Sequence, residues 1–358
     1  MTIYLRPTAF IDSPIGFDGA AKRLAGGLQW FSALEVIKRD GARVSRELLP
    51  VSRADQEVPA LGSAAETQWR NLVAPRAPLQ LKERVVRFDQ PQVMGIVNAT
   101  PDSFSDGGQT LDAQAAIDRA HAMTAAGAAI IDIGGESTRP GAQPVWEGDE
   151  EARVMPILRP LAASGTALSI DTRKAGIAAL ALQAGAGMVN DVSAMTFDPR
   201  TAEVVAKADC PIVLMHHQGK PETMQQAPHY DGPVALAVYD WLEERIAVAE
   251  KAGIRRERIL VDPGIGFGKT VQHNLDVMNN LSLLHGLGCA LMVGASRKRT
   301  IGALSNEAPA DQRLGGSLAL ALKAVEQGAH LLRVHDVFET MQALRVWRGL
   351  RDAALTQA

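Results

Sequence analysis

Eight short apolar runs in this chain each end in side chains able to bind or react. Val93–Asn98 leads into Asp102, Phe104 and Asp106. Ala129–Gly134 leads into Glu136, Thr138, Arg139 and Pro140. Leu168–Asp171 is followed by Thr172, Arg173 and Lys174, and Met188–Asp191 closes on Asn190 and Asp191. Ile212–His216 runs into His217, and Ile259–Asp262 into the glycine-rich stretch Pro263–Lys269. Leu291–Gly294 is followed by Ser296, Arg297 and Lys298, and Leu331–Val334 by His335 and Asp336. Arg333 and His335 are two apart on an extended segment, so they point the same way. A guanidinium fork beside an imidazole suits phosphate oxygens. With Lys298 nearby, this predicts an anionic, phosphorylated substrate; the alternative is a structural Arg–Asp pair. Asp171, Asn190 and Asp262 stand at the ends of apolar runs, where a buried carboxylate needs donors. A ligand with an amidine-like edge, such as a pterin or a purine, would supply them; lysines of the barrel core are the alternative.

Other polar groups carry less. Pro263–Thr270 fails the phosphate-loop pattern, because Pro263 stands where a glycine is required. Lys269 is expected to be structural or a carboxylate partner. His216 and His217 are adjacent, hence on opposite faces of a strand and poor joint metal ligands. No cysteine and histidine set for zinc is present. Cys210 and Cys289 read as core thiols.

The runs need a frame that brings their ends together. They are rich in Val, Ile and Leu, as parallel strands buried on both faces are. Helix candidates lie between them: Asp112–Ala126, Ala175–Ala184, Pro199–Lys207, Pro233–Ala252 and Arg313–Gln327. Gly127, Gly185, Gly253, Gly286 and Gly328 follow helical segments and read as C-terminal caps. Eight such units in about 270 residues predict an α/β fold, a (β/α)8 TIM barrel, with an open doubly wound sheet as the other option. In a barrel all eight ends share one face. Residues 1–88 are a separate N-terminal extension or small subdomain, and 89–358 the barrel. Leu28–Arg39 reads as an amphipathic helix stopped by Asp40 and Gly41.

Composition excludes several classes. The 358 residues are 46% hydrophobic and 22% charged, which excludes a disordered chain. A net charge of −3 and 4% aromatics argue against a nucleic-acid partner. No membrane-length apolar run and no secretory leader is apparent, and two cysteines do not make a disulfide scaffold. A cytoplasmic protein is expected.

Taken together, the segments resemble the dihydropteroate synthase family of folate biosynthesis. Met94–Gly108 resembles its first signature and Asp132–Gly141 its second. The Asp171, Asn190, Asp262–Lys269, Ser296–Lys298 and Arg333–His335 segments follow in the family's order. The resemblance covers about residues 91–350. It implies a transferase that joins 6-hydroxymethyl-7,8-dihydropterin diphosphate to p-aminobenzoate, with Mg2+ as cofactor, a homodimer as assembly and sulfonamides as inhibitors. It implies a pterin and diphosphate site of Asn98, Thr138, Asp171, Asn190, Asp262, Lys298, Arg333 and His335. It implies a p-aminobenzoate region of Phe104, Thr138, Arg139, Pro140, Phe267 and Ser296. Asn98, Asp102, Asp106, Lys298, Arg333 and His335 are its catalytic set, and Asn98 its metal ligand. Loops at about 99–110 and 136–146 resemble those that close over substrate. A non-catalytic pterin-binding paralogue would have lost loop residues, Arg333 or His335. A methyltetrahydrofolate methyltransferase would lack the two loops. Neither loss is seen. His217 departs from a common Met, and Arg299 from a Ser found in several members. The extension reads either as a tolerated appendage or as a cover for the barrel floor or a dimer surface.

Overall fold

The computed structural model describes residues 1–99, 109–137, 142–219 and 223–356. The chain opens with a small sheet: β1 (Thr2–Ile11), β2 (Lys22–Arg23), β3 (Trp30–Asp40) and β4 (Arg43–Pro50). Helices α1 (Val51–Glu57) and α2 (Ser63–Val73) follow. The helix expected over Leu28–Arg39 is therefore strand β3. It pairs antiparallel with β1 on one side and with β2 and β4 on the other. Asp40 and Gly41 do not stop a helix. They enter the hairpin to β4, and Gly41 takes the φ of 58° that a two-residue hairpin loop demands. One set of β3 side chains, Phe31, Leu34 and Val36, packs with Leu5 against Trp69 and Leu72 of α2. Tyr4 and Ile37 instead join the barrel's core. Gln68 of α2 finishes the outer edge of β1, accepting from Leu5 N–H and donating to Ile3 C=O at 2.8 Å each.

A short hairpin, β5 (Leu79–Leu81) and β6 (Arg84–Val86), comes next. Its Leu79, Leu81 and Val86, with Phe88, pack on Met94, Ile130, Met188, Val213, Leu260, Met292 and Leu331. It closes the end of the barrel at which the strands begin.

The eight expected runs form eight parallel strands in sequence order: β7 (Gln92–Asn98), β8 (Ile130–Gly134), β9 (Leu168–Asp171), β10 (Met188–Asp191), β11 (Ile212–Met215), β12 (Ile259–Asp262), β13 (Ala290–Val293) and β14 (Leu331–Val334). β14 pairs with β7, in register Leu331 to Gln92, and the barrel closes. The outer layer comprises α3 (Gln109–Ala126), α4 (Glu147–Ala163), α5 (Ala175–Ala184), α6 (Thr201–Ala208), α7 (Val234–Lys251), α8 (Val271–Asn279), α9 (Arg299–Leu304), α10 (Leu314–Glu326) and α11 (Val337–Thr356). Gly127, Gly185, Gly253 and Gly328 follow their helices at positive φ. Gly286 does not cap one. It lies within the 3-10 helix Leu281–Leu287, and Gly288 makes the left-handed turn after it. A side chain at Gly286 would meet the Tyr239 hydroxyl at 3.2 Å and Gln68 at 3.3 Å, so the missing Cβ lets the N-terminal unit approach.

That unit is fastened to the barrel by polar contacts. Tyr4 donates to Asp240 of α7 at 2.8 Å, and Arg39 pairs with the same carboxylate at 2.7 Å. Ser282 donates to Pro7 C=O. Arg76 donates to the carbonyls of Asn71, Ala74, His285 and Cys289 at 2.9–3.0 Å, and burial pulls its pKa down to about 10. Arg76→Ala leaves those carbonyls without their donor. It is expected to lower stability by about 3 kcal/mol in urea denaturation, with the slope against denaturant unchanged.

Candidate active site

Arg333 organises the mouth of the barrel. Its Nε donates to Asp132 Oδ2 at 2.6 Å and its Nη2 to Asp171 Oδ2 at 2.7 Å. Asn190 donates to the same Asp132 oxygen at 2.9 Å. The four side chains come from β14, β8, β9 and β10, so one guanidinium spans the barrel interior. Asp132 and Asn190 are fully buried, and Asp171 nearly so. Burial pushes Asp171 up to about 7 against the pull of Arg333. Burial pulls Arg333 down, but Asp132 and Asp171 outweigh it and hold the guanidinium above its ordinary range. Two acceptors in this cluster, Asp132 Oδ1 and Asn190 Oδ1, are buried with no hydrogen-bond partner among the described residues. Orphaned buried acceptors are rare in folded proteins, and here they call for a ligand with donors.

Asp262 joins from β12. Burial raises its pKa, while Gly264 N–H donates to its Oδ1 at 2.7 Å. Gly294, just past β13, lies beside it: a Cβ there would make ordinary contact with Asp262 Oδ2, at 3.5 Å. After β13, Lys298 Nζ lies 4.2 Å from the centre of the Phe267 ring. Ser296 Oγ accepts from His335 N–H at 3.2 Å and lies 3.1 Å from His335 Nδ1. The hydroxyl can donate to that nitrogen or accept from it, and in either case it holds the His335 ring in place.

The mouth therefore holds orphaned acceptors beside a cluster of cationic donors. The pterin binding enzyme family model matches residues 94–335. Dihydropteroate synthase of Escherichia coli K12 is 46% identical over 260 residues, covering 72% of this chain and 91% of that protein. The chain belongs to the dihydropteroate synthases of the pterin binding enzyme family. The structure of Xanthomonas albilineans dihydropteroate synthase with 4-aminobenzoic acid superposes with a TM-score of 0.73 at 45% identity. It covers 77% of this chain and 98% of that one. A second structure of the X. albilineans enzyme, in complex with 7,8-dihydropteroate, gives 0.70 at 42%, with coverage of 77% and 99%. Residues 1–93 lie outside the family match.

Of the residues singled out in the sequence, Asn98, Asp171, Asn190, Asp262, Phe267, Ser296, Lys298, Arg333 and His335 all stand at the strand ends or just after them. Asp102, Phe104, Asp106, Thr138, Arg139 and Pro140 lie outside the described residues. Asp132 belongs with the first set but was not singled out. Its signal was available, since one charged residue interrupts the otherwise apolar run Ile130–Gly134. The neighbouring Asp191 is turned away and accepts from Ser193 N–H and Met195 N–H, which makes it part of the turn after β10.

The glycine-rich stretch carries a structural lysine. Lys269 Nζ donates to Gly264 C=O at 3.0 Å, Phe267 C=O at 3.2 Å and His216 Nδ1 at 2.7 Å. Its three protons are spent inside the fold, and burial pulls its pKa down to about 7. His217 contacts Thr196 and the Gly219 carbonyl instead, and both histidine rings lie edge-on to Trp241. Behind β8 and β9, Glu136 pairs with Arg173 at 3.0 Å and accepts from Val145 N–H at 2.9 Å. Lys174 and Thr172 bond to Glu150. These contacts fix both approaches to the segment between 137 and 142.

No group of three or more His, Cys, Asp or Glu is placed to hold a metal ion among the described residues. Asn98, at the end of β7, offers an amide oxygen. That donor suits a Mg2+ ion carried mainly by substrate phosphates and water.

Because Asp171 ionises near 7, a ligand that donates N–H groups to it binds its charged form. Affinity for a dihydropterin is expected to rise about tenfold from pH 6 to pH 8 and to level off above, with one proton released on binding at the lower pH. Calorimetric titration across that range checks it, and Asp171→Asn should flatten the profile.

Proposed function

We propose that this chain condenses 6-hydroxymethyl-7,8-dihydropterin diphosphate with p-aminobenzoate, yielding 7,8-dihydropteroate and diphosphate in folate biosynthesis. The observation that carries this reading is the buried cluster of Arg333, Asp132, Asp171 and Asn190, with its two orphaned acceptors. Asp171, Asn190 and Asp262 would receive the N–H groups of the pterin. The same edge would satisfy the orphaned oxygens, which water or an apolar ligand would serve poorly.

The chemistry follows from charge. The bond between the pterin methylene carbon and the diphosphate oxygen breaks, and the diphosphate leaves with the electron pair. The electron-rich dihydropterin stabilises the cation left behind. Arg333 and the His335 ring would bind the departing oxygens, with Lys298 close by. Asn98 would hold Mg2+, which when bound would supply neutralisation of the leaving charge. The arylamine nitrogen then bonds to the carbon and sheds a proton to solvent. A neutral aniline needs no strong base before attack, and we assign none. Phe267 and Ser296, with Phe104, Thr138, Arg139 and Pro140, would orient the p-aminobenzoate. Asp102 and Asp106 would act from the first loop, which with the second would exclude water.

Further expectations accompany this reading. Phe338, Val346 and Leu350 are exposed along one face of α11, which supports a homodimer. Val346→Glu should then give a monomer in sedimentation. The two free, buried cysteines support a reducing, cytoplasmic setting. Sulfonamides, as p-aminobenzoate mimics, are expected to compete with that substrate.

The test is product formation. Purified protein with dihydropterin diphosphate, Mg2+ and labelled p-aminobenzoate should release labelled dihydropteroate. Asp262→Ala and Arg333→Ala should each lower kcat/KM by about 100-fold or more. Substrate binding without product in the parent chain would overturn the reading in favour of a binding protein.

A further inference from the structure

Arg297 lies between Ser296 and Lys298 with its backbone in the left-handed region, at φ 57°. A long side chain takes that conformation only where its surroundings impose it. Three contacts do so here. Its guanidinium grips Asp336 with two hydrogen bonds, Nε to Oδ2 at 3.0 Å and Nη2 to Oδ1. Its N–H donates to Ser317 Oγ at 2.9 Å, and its C=O accepts from Arg313 at 3.0 Å. Asp336 directly follows His335. Ser296, directly before Arg297, bonds to His335 through both the backbone N–H and Nδ1. Two consecutive residues beyond β13 thus hold two consecutive residues beyond β14.

Turn chemistry does not account for this arginine. The pair is half-buried, with Arg297 36% and Asp336 12% exposed, and its two-bond geometry ties the two strand ends together. A glycine or asparagine would make the same turn with less strain. What the arginine adds is a fixed distance between its neighbour Lys298 and Asp336's neighbour His335. Those are two of the cationic or donor groups that the proposed reaction places around the diphosphate.

We propose that Arg297 and Asp336 are positioning residues, a clamp across the ends of β13 and β14 that sets Lys298 and His335 for a diphosphate-bearing substrate. This rests on the function proposed above. Neither residue need touch the substrate; each acts through the group beside it.

The test is a double-mutant cycle of Arg297→Gly, Asp336→Asn and the pair. Glycine accepts the left-handed backbone, and asparagine keeps the aspartate's size, so both variants should fold. Dissociation constants are measured by calorimetry for dihydropterin diphosphate and for p-aminobenzoate, together with Tm. Each single variant should weaken dihydropterin diphosphate by about tenfold and p-aminobenzoate by less than about twofold. The double variant should match the singles, because both remove one interaction. An unchanged constant for the diphosphate, an equal loss for both ligands, or additive losses would each overturn the clamp. Turnover by the parent chain reads the function separately. A chain that binds the diphosphate without turnover still tests the clamp through these constants, and one that does not bind it overturns both.

Discussion

A guanidinium buried at the centre of a protein must be paired, and Arg333 is paired across the barrel. Removing one partner of a buried charge pair costs about 3–5 kcal/mol, because the other charge is stranded. Arg333 on β14, Asp132 on β8 and Asp171 on β9 therefore depend on the barrel being closed, since only closure sets β14 within one strand of β8. The dependence also runs the other way. Three carboxylates and an amide crowd the mouth, and without Arg333 their mutual repulsion and desolvation would favour protonation. Asp171 is already poised near 7. The arrangement holds acceptors in a dry place and leaves two of them unfilled, which is the condition a donor-rich ligand can exploit.

The loop after β12 shows the same logic with the charge reversed. Its carbonyls would lie buried without partners, and Lys269 collects two of them with His216 as its third acceptor. His216 can accept only as a neutral ring, and burial drives its pKa well below the usual value. The lysine fixes the carbonyl of Phe267, and the Phe267 ring meets Lys298. A stretch that resembles a phosphate loop thus uses its lysine to shape a wall rather than to hold a phosphate.

The barrel was legible because its signals are local and repeated. Buried parallel strands are unbroken apolar runs, and four of the eight come out with the same ends, Leu168–Asp171, Met188–Asp191, Ile259–Asp262 and Leu331–Val334, while Val93–Asn98 and Ala129–Gly134 match at their last residue. Helix α4 is harder to read, since Pro156 and Pro160 lie inside it. The N-terminal unit is where periodicity misled. Over Trp30–Asp40 the apolar residues fall at 30, 31, 33, 34, 36 and 37, a spacing that also fits one face of a helix. In the sheet both faces of β3 are covered, one by α2 and one by the barrel, so strict alternation is lost. The decisive local signal was Asp40 and Gly41, which announce a hairpin as readily as a helix end.

The site divides in a similar way. Residues at strand ends announce themselves, because a polar group after an apolar run is visible in one dimension. Partnerships are not. Arg333 was expected to face phosphate, with a structural Arg–Asp pair as the alternative, and it holds two carboxylates while standing beside the donors that phosphate would need. Asp132 lies 201 residues from Arg333 and Asp171 162 residues, so no spacing rule links them. Arg297 makes the point most sharply. In sequence it is one more cation in a basic triplet. Only its positive φ and its grip on Asp336 separate it from Lys298 and Arg299. Two neighbouring positive charges, Arg297 and Lys298, then do different things, because the backbone turns at the first of them.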